Sequence, residues 1–597
     1  MDIVRARYSG PSRKLVVALD IGTTFSGAAY AFLDPGEVPR IQSVTRRVLL
    51  YLNNPNPGSA KVPSILYYDR NGNFRGVENG VNFQDDNTFL RMKWWETMTH
   101  PPVQDSDNTL DQMSTTLPKG KTILDVYADF MGYLFDSTKA LFETSEPNGE
   151  LRWNSVSNNI ELVLTHPNGW GGPQQAQLRT AAVKAGIVPD TPAGHSHVHF
   201  VTEGEASFSF CATRTQVGRN LKPGEQVLII DAGGGTVDIS TYKVLNNGPL
   251  QVEELYEPKC LVQGAELVTM RATAGIKETL RGSRLNTLEN LAAFSQRFDE
   301  GIKKVFSNNQ TTQYIRFGSP KDNDTNYGIR AGKLTLTGTQ VSGFFEPSIQ
   351  STVDSIRDNF RQRLTTNSFA FLVGGFATNL WLTEQLQKRL LDIGLRFCKP
   401  DMDTNKAVAI GAVSYYVDHF VTGRISKFTY GVPCNILYNS SNPEHARRAH
   451  KLFVDAMGER CVPGHFDTML SREREIRHHF QMVSEGTPPQ YISSRIVKYT
   501  GSLVAPEWDD VEKDKFETLC HVKANLSTAP YTSSFAAGKM GYKRDFDIIL
   551  LVGLTELKAQ VTWIDSATVR AHLVSHKPIH FLPDFHMRKS RGQREGS

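Results

Sequence analysis

Hydrophobic residues in this chain follow two periods that alternate along its length. The runs at 15–19, 160–165, 198–201, 227–230 and 369–373 are short and continuous, which predicts buried strands. Between them apolar residues recur every three or four positions. Ile123, Tyr127, Phe130, Met131, Leu134, Thr138 and Leu141 place one stripe on a helix over 121–144. Further helices are predicted over 174–185, 263–279, 287–306, 337–359, 380–391 and 405–416, the last with a small inner face of Ala407, Gly411 and Ala412. Strands alternating with helices indicate an α/β architecture. Near 422 the pattern changes. Segments 425–438 and 546–563 read as strands, separated by mixed-charge stretches at 471–475 and 509–515, so 422–585 is expected to form a smaller β-rich domain. Residues 1–13 read as a flexible leader, 53–58 and 102–118 as loops, and 586–597 as a basic disordered tail.

Two hairpins stand out within this pattern. At 227–240 four apolar residues end in Asp231, three glycines (Gly233, Gly234, Gly235) and Thr236 follow, and Asp238 opens a second β-prone run. The turn is almost bare backbone, and successive N–H groups there can cup an anion. At 15–32 another apolar run ends in Asp20, followed by Gly22, Thr23 and Thr24 and a return strand. Two acidic Gly/Thr hairpins predict a duplicated domain with a polyphosphate held between the halves. Backbone N–H groups of Gly22, Thr23 and Thr24 would grip one end, and those of Gly233 to Gly235 the other. Asp20 and Asp231 would face each other and place Mg²⁺, largely through water.

Composition narrows the classes. With 597 residues, 39% hydrophobic and 21% charged, the chain is expected to fold into several domains. A net charge of +4 is too small to argue for nucleic acid, and no apolar run approaches the length of a membrane span. The six cysteines are scattered with no CxxC pair and no signal segment precedes them, so reduced thiols and a cytoplasmic location are expected. Pro118-Lys-Gly-Lys-Thr122 lacks the first glycine of a P-loop. His195, His197 and His199 alternate along a predicted strand. With no Cys or carboxylate ligand at useful spacing, they read as structural or solvated histidines rather than a metal site.

Five stretches follow one another in order: Asp20-Ile-Gly-Thr-Thr-Phe, Glu203-Gly-Glu-Ala, Asp231-Ala-Gly-Gly-Gly-Thr-Val-Asp, Val373-Gly-Gly-Phe-Ala and the small-residue helix at 405–416. The set resembles the ATPase domain shared by actin, sugar kinases and the heat-shock protein 70 chaperones, over roughly 14–422. Gly374-Gly-Phe-Ala and Phe428-Thr-Tyr-Gly-Val432 are similar to the divergent heat-shock-70-like family twelve and its fungal relatives. The resemblance implies an actin-like fold of two duplicated βα lobes, 14–223 and 224–421, around a nucleotide cleft. It also implies ATP or ADP with Mg²⁺, and K⁺ near Asp238. Thr236 would contact the γ-phosphate, Glu203 would order water at the metal, and Lys93 would orient the attacking water. Glu300 and Lys303 would clamp the adenosine, and Gly374 and Gly375 would let backbone pass under the nucleotide. Three departures are visible. The arginine that stacks on adenine in the chaperones is absent after Gly374-Gly-Phe-Ala-Thr378, the second stretch reads Thr202-Glu-Gly-Glu-Ala-Ser207, and the long helical lid is missing.

Three functions remain open on this basis. One is a slow ATPase acting as a nucleotide-driven switch, with protein clients or partners on the C-terminal domain. The second is a non-hydrolysing nucleotide-binding module. The third is a sugar or polyol kinase, for which Leu164-Thr-His-Pro167 supplies no catalytic aspartate at the matching strand end.

Overall fold

A computed structural model describes residues 5–44, 61–77, 89–93, 95–99, 116–168, 170–247, 250–360, 365, 367–400, 404–418, 421–423, 428–471, 474–475, 477–503, 506–536, 538–552, 557–565, 568–573 and 586–589. The loop at 53–58, most of 102–118, Trp94 and residues 590–597 lie outside them. The fold is mixed α/β with several sheets, and the chain divides into two compact units, 1–424 and 425–597.

The first unit holds two six-stranded sheets with one plan. In the first, Lys14–Asp20 pairs antiparallel with Phe25–Leu33, which pairs antiparallel with Arg40–Ser43. On its other side Lys14–Asp20 runs parallel to Ile160–His166, which runs parallel to Val198–Thr202. In the second, Gln226–Ala232 takes the central place. It pairs antiparallel with Val237–Asn247 and then Leu250–Leu261, and runs parallel to Ser368–Val373 and then Arg396–Cys398. The central strands are buried on both faces, which explains their unbroken apolar runs. The shared plan puts Asp20, Thr165, Thr202, Asp231 and Val373 at the carboxyl ends of their strands, where ligands bind in open α/β sheets.

Helices lie close to where periodicity puts them: Ile123–Ser145, Gly172–Lys184, Ala265–Thr279, Gly338–Phe360, Leu380–Asp392 and Ala407–Asp418. The one expected over 287–306 is interrupted. Leu288–Arg297 is α-helical, Phe298–Ile302 is a π-helical turn, and Lys303–Val305 resumes the α-helix. One core cluster takes Val16 and Ala18 from the first sheet, Val227 and Ile229 from the second, and the inner faces of Glu203–Arg214 and Ala407–Asp418. These two helices approach so closely at Gly411 that an added Cβ would strike the Ala206 carbonyl.

Other expectations are corrected. The described part of the leader, 5–13, is anchored. Arg5 Nε pairs with Asp418 at 3.1 Å with both side chains nearly buried, and Nη2 donates to Ser414 at 3.0 Å. The Tyr8 amide donates to the Glu37 carbonyl. Strand Leu250–Leu261 and the small sheet of Gln313–Arg316, Ile329–Arg330 and Lys333–Leu336 were not anticipated. No helix among the described residues is long and apolar enough to cross a membrane.

The second unit is built on one large, mostly antiparallel sheet that includes Thr429–Leu437, Arg460–Ser471, Arg477–Glu485, Tyr491–Tyr499, Phe516–Asn525, Lys539–Val552 and Leu557–Asp565. Val432, Phe480, Met482, Ile492, Ile496, Phe546 and Ile548 form its core, with alternate residues of each strand turned inward. The expected tail begins with a strand, His586–Lys589, which pairs with Arg477–Glu485. Pairing supplies the backbone partners that composition alone could not foresee.

Gly411→Ala tests the helix crossing. Helix propensity alone would stabilise the alanine variant by about 1 kcal/mol. Overlap with a backbone carbonyl should instead destabilise it by roughly 1–3 kcal/mol, read from denaturant unfolding. A variant as stable as the parent would show that the crossing is loose.

Candidate functional site

The two Gly/Thr turns are built differently. In the first, the Gly22 amide donates to Ser26 Oγ at 3.2 Å. Ser64 Oγ donates to the Gly22 carbonyl at 2.6 Å, and the Ser64 amide to the Thr24 carbonyl at 2.9 Å. Thr23 Oγ1 donates to the buried Glu96 at 2.8 Å. In the second, the Gly233 amide closes the hairpin on the Thr236 carbonyl at 2.9 Å. The carbonyls of Gly233, Gly234 and Gly235 accept from the amides of Ala265, Glu266 and Gly264 at the start of helix Ala265–Thr279. The amides of Gly22 and Gly233, expected to grip phosphate, are thus committed within their own turns. The turns also touch each other. A Cβ on Gly234 would strike the Thr24 side chain, and one on Gly235 would come within 3.1 Å of Thr23 Oγ1.

Carboxylates from both sheets gather beside these turns. Asp20 and Asp231 are almost fully buried. Thr165 Oγ1 donates to Asp20 Oδ1 at 3.1 Å, and Ser207 Oγ to Asp231 Oδ2 at 2.6 Å. Asp238 lies opposite Asp231 in the hairpin register and accepts from Thr236 Oγ1 at 2.8 Å. Glu203 is the first residue of its helix, which starts there because Thr202 and Glu205 form a capping box. Burial, then the charges of Asp238, Asp20, Asp231 and Glu96, push the Glu203 carboxyl well above its ordinary range. The Asp231 carboxyl is pushed up to about 7, chiefly by burial. Ser207 and the Lys61 ammonium pull it down, while Asp238 and Asp20 push it up.

Lys61 is the cation in this group, and neither periodicity nor resemblance pointed to it. Its Nζ lies 2.7 Å from Asp20 Oδ2. Burial depresses the ammonium, yet Asp20, Asp231 and Glu203 outweigh that and hold it above its usual value. Lys93, the lysine expected to orient the attacking water, lies near enough to Glu266 to act on its carboxyl, which burial and then Asp299 raise and Lys303 and Lys93 lower.

Gly374 belongs to the centre for a different reason than expected. Its φ is +94°, and a Cβ would meet Asp231 Oδ1 and the Ala232 carbonyl. Gly375 has open space around its Cα and starts the turn Phe376–Thr378. Glu300 and Lys303, expected to clamp the adenosine, each have partners within the protein. The π turn shifts the register, so Lys303 pairs with Asp299 and donates to Thr269 at 2.9 Å, while the exposed Glu300 accepts from Gln296 at 3.1 Å. The three histidines meet carboxylates. Glu161 lies 3.3 Å from His197 Nδ1, 2.7 Å from His199 Nε2 and 3.0 Å from Lys14, while His195 sits on a short helix and pairs with Asp190 at 2.9 Å.

Among the described residues no three His, Cys, Asp or Glu side chains converge closely enough to enclose a metal. The mutual raising of these buried carboxyls nevertheless fits a cation that takes one or two protein oxygens and completes its shell with phosphate and water, as Mg²⁺ does.

Comparison with known proteins agrees with this architecture. No protein-family profile matches the chain. It is similar to heat shock 70 kDa protein 12A of Mus musculus, 24% identical across 93% of this chain and 90% of that protein. The Homo sapiens 12A protein shows the same identity and coverage. Heat shock 70 kDa protein 12B of Homo sapiens is 22% identical across 70% of this chain and 71% of its own length.

The raised Asp231 carboxyl has a pH signature. An acid whose native value lies above its unfolded one stabilises the fold fully when protonated, and this contribution fades as pH rises from about 4 to about 7. Without nucleotide or metal, Asp231→Asn should therefore gain melting temperature relative to the parent across that window and keep the gain above it. A difference that does not change with pH would contradict the charge imbalance.

Proposed function

We propose that the first unit is a nucleotide-driven switch that binds ATP or ADP with Mg²⁺ and hydrolyses ATP slowly. One observation carries this reading: buried carboxylates from equivalent strand ends of two sheets meet beside two Gly/Thr turns. Similarity to the 12A and 12B heat shock proteins along most of the chain supports it. In this reading 14–223 and 224–421 are lobes that part to admit the nucleotide, since the turns touch at Thr24 and Gly234. The amides of Thr23, Thr24, Gly234 and Gly235 then take the polyphosphate. Asp20 and Asp231 position Mg²⁺, which would supply charge neutralisation at the phosphates. Glu203 orders water beside it, Thr236 and Lys93 contact the terminal phosphate, and Asp238 flanks a monovalent ion. Close packing of Gly411 on Ala206 makes the helix pair a pivot rather than a lubricated joint, so closure at the turns is transmitted through it. The second unit serves as the surface for a protein client or partner, in the cytoplasm.

Two measurements test this on the full chain. Mg·ADP at 100 times its Kd should stabilise the fold by ~2.7 kcal/mol, seen as a raised melting temperature. In single-turnover assays the parent should form ADP, and Asp20→Ala, Glu203→Gln and Lys93→Ala should each slow its formation roughly tenfold or more. No thermal shift with any nucleotide would refute binding; a shift without ADP formation would refute hydrolysis.

A further inference from the structure

Lys61 reaches the acidic centre from the same frame that shapes the first turn. The short strand Val62–Pro63 pairs with Phe25 and Ser26, and Ser64 is hydrogen-bonded to the carbonyls of Gly22 and Thr24. The lysine side chain is only 18% exposed, and its partner Asp20 is 2% exposed. Asp231 and Glu203 lie close enough to act on the ammonium as well. The group of acids around it also includes Asp238 and Glu96. An ammonium on a four-carbon stem is a compact point charge that can exchange one oxyanion for another by rotating about single bonds. It occupies one of the two carboxylate oxygens of Asp20, Oδ2.

We propose that Lys61 is a tethered counter-cation, which holds Asp20 in the nucleotide-free protein and excludes free divalent metal until a polyphosphate offers the ammonium a new partner. Metal then enters together with the nucleotide rather than before it. The inference rests on the reading of Asp20 and Asp231 as the metal side of the nucleotide site, but its test needs no nucleotide.

Mn²⁺ is titrated into the nucleotide-free full-length protein, with free Mn²⁺ followed by electron paramagnetic resonance. Lys61→Met and Lys61→Gln should each bind Mn²⁺ at least about tenfold more tightly than the parent, because the competing charge is gone. Lys61→Arg, which keeps that charge, should bind as weakly as the parent. Adding Asp20→Asn to Lys61→Met should abolish the gain. Circular dichroism melts in EDTA establish which variants are folded, and the Met and Gln variants are independent tests of the same point. The proposal is overturned if the neutral variants bind Mn²⁺ no more tightly than the parent, or if Lys61→Arg gains as much as they do. Either result leaves the nucleotide reading standing where ADP still shifts the melting of the parent.

Discussion

Buried negative charge is the constraint on which the first unit depends. Asp20 and Asp231 end the central strands of two sheets with the same plan, and Glu203, Asp238 and Glu96 surround them. Carboxylates out of water repel one another and resist ionisation, which is why Asp231 and Glu203 are pushed upward. Such a group persists only where hydroxyls and a cation answer it. Thr165, Ser207, Thr236 and Thr23 each give a hydrogen bond to one of these acids, and Lys61 gives the charge. That charge is carried on the chain itself.

Glycine makes this crowding sterically feasible. Gly374 passes Asp231 at a positive φ where no Cβ fits, Gly234 meets Thr24, Gly204 meets Ser240, and Gly411 lets the second helix rest on Ala206. These contacts tie the acidic centre to the helix crossing through one continuous core.

Much of this was legible in the chain. Continuous apolar runs marked the central strands because both of their faces are buried, and a Gly/Thr turn after an aspartate marked both hairpins. What escaped was long-range or irregular. Lys61 stands beside a two-residue strand and carries no motif; only the fold brings it to Asp20. Glu96 carries no motif either, and only the fold brings it to Thr23. The π turn at Phe298–Ile302 inside the expected helix carries no signal in the periodicity, and it decides that Lys303 meets Asp299. In the second unit, strand order depends on pairings across long separations, such as Arg477–Glu485 with Lys539–Val552, which alternation cannot specify.

The central claim is that a nucleotide seats between the two Gly/Thr turns. Amide hydrogen exchange of the full-length protein, followed by mass spectrometry with and without Mg·ADP, addresses it most directly. The account predicts slower exchange in peptides spanning 20–26 and 232–238, where phosphate takes the turn amides. Unchanged exchange in both turns at saturating Mg·ADP, or protection confined to 425–597, would contradict it.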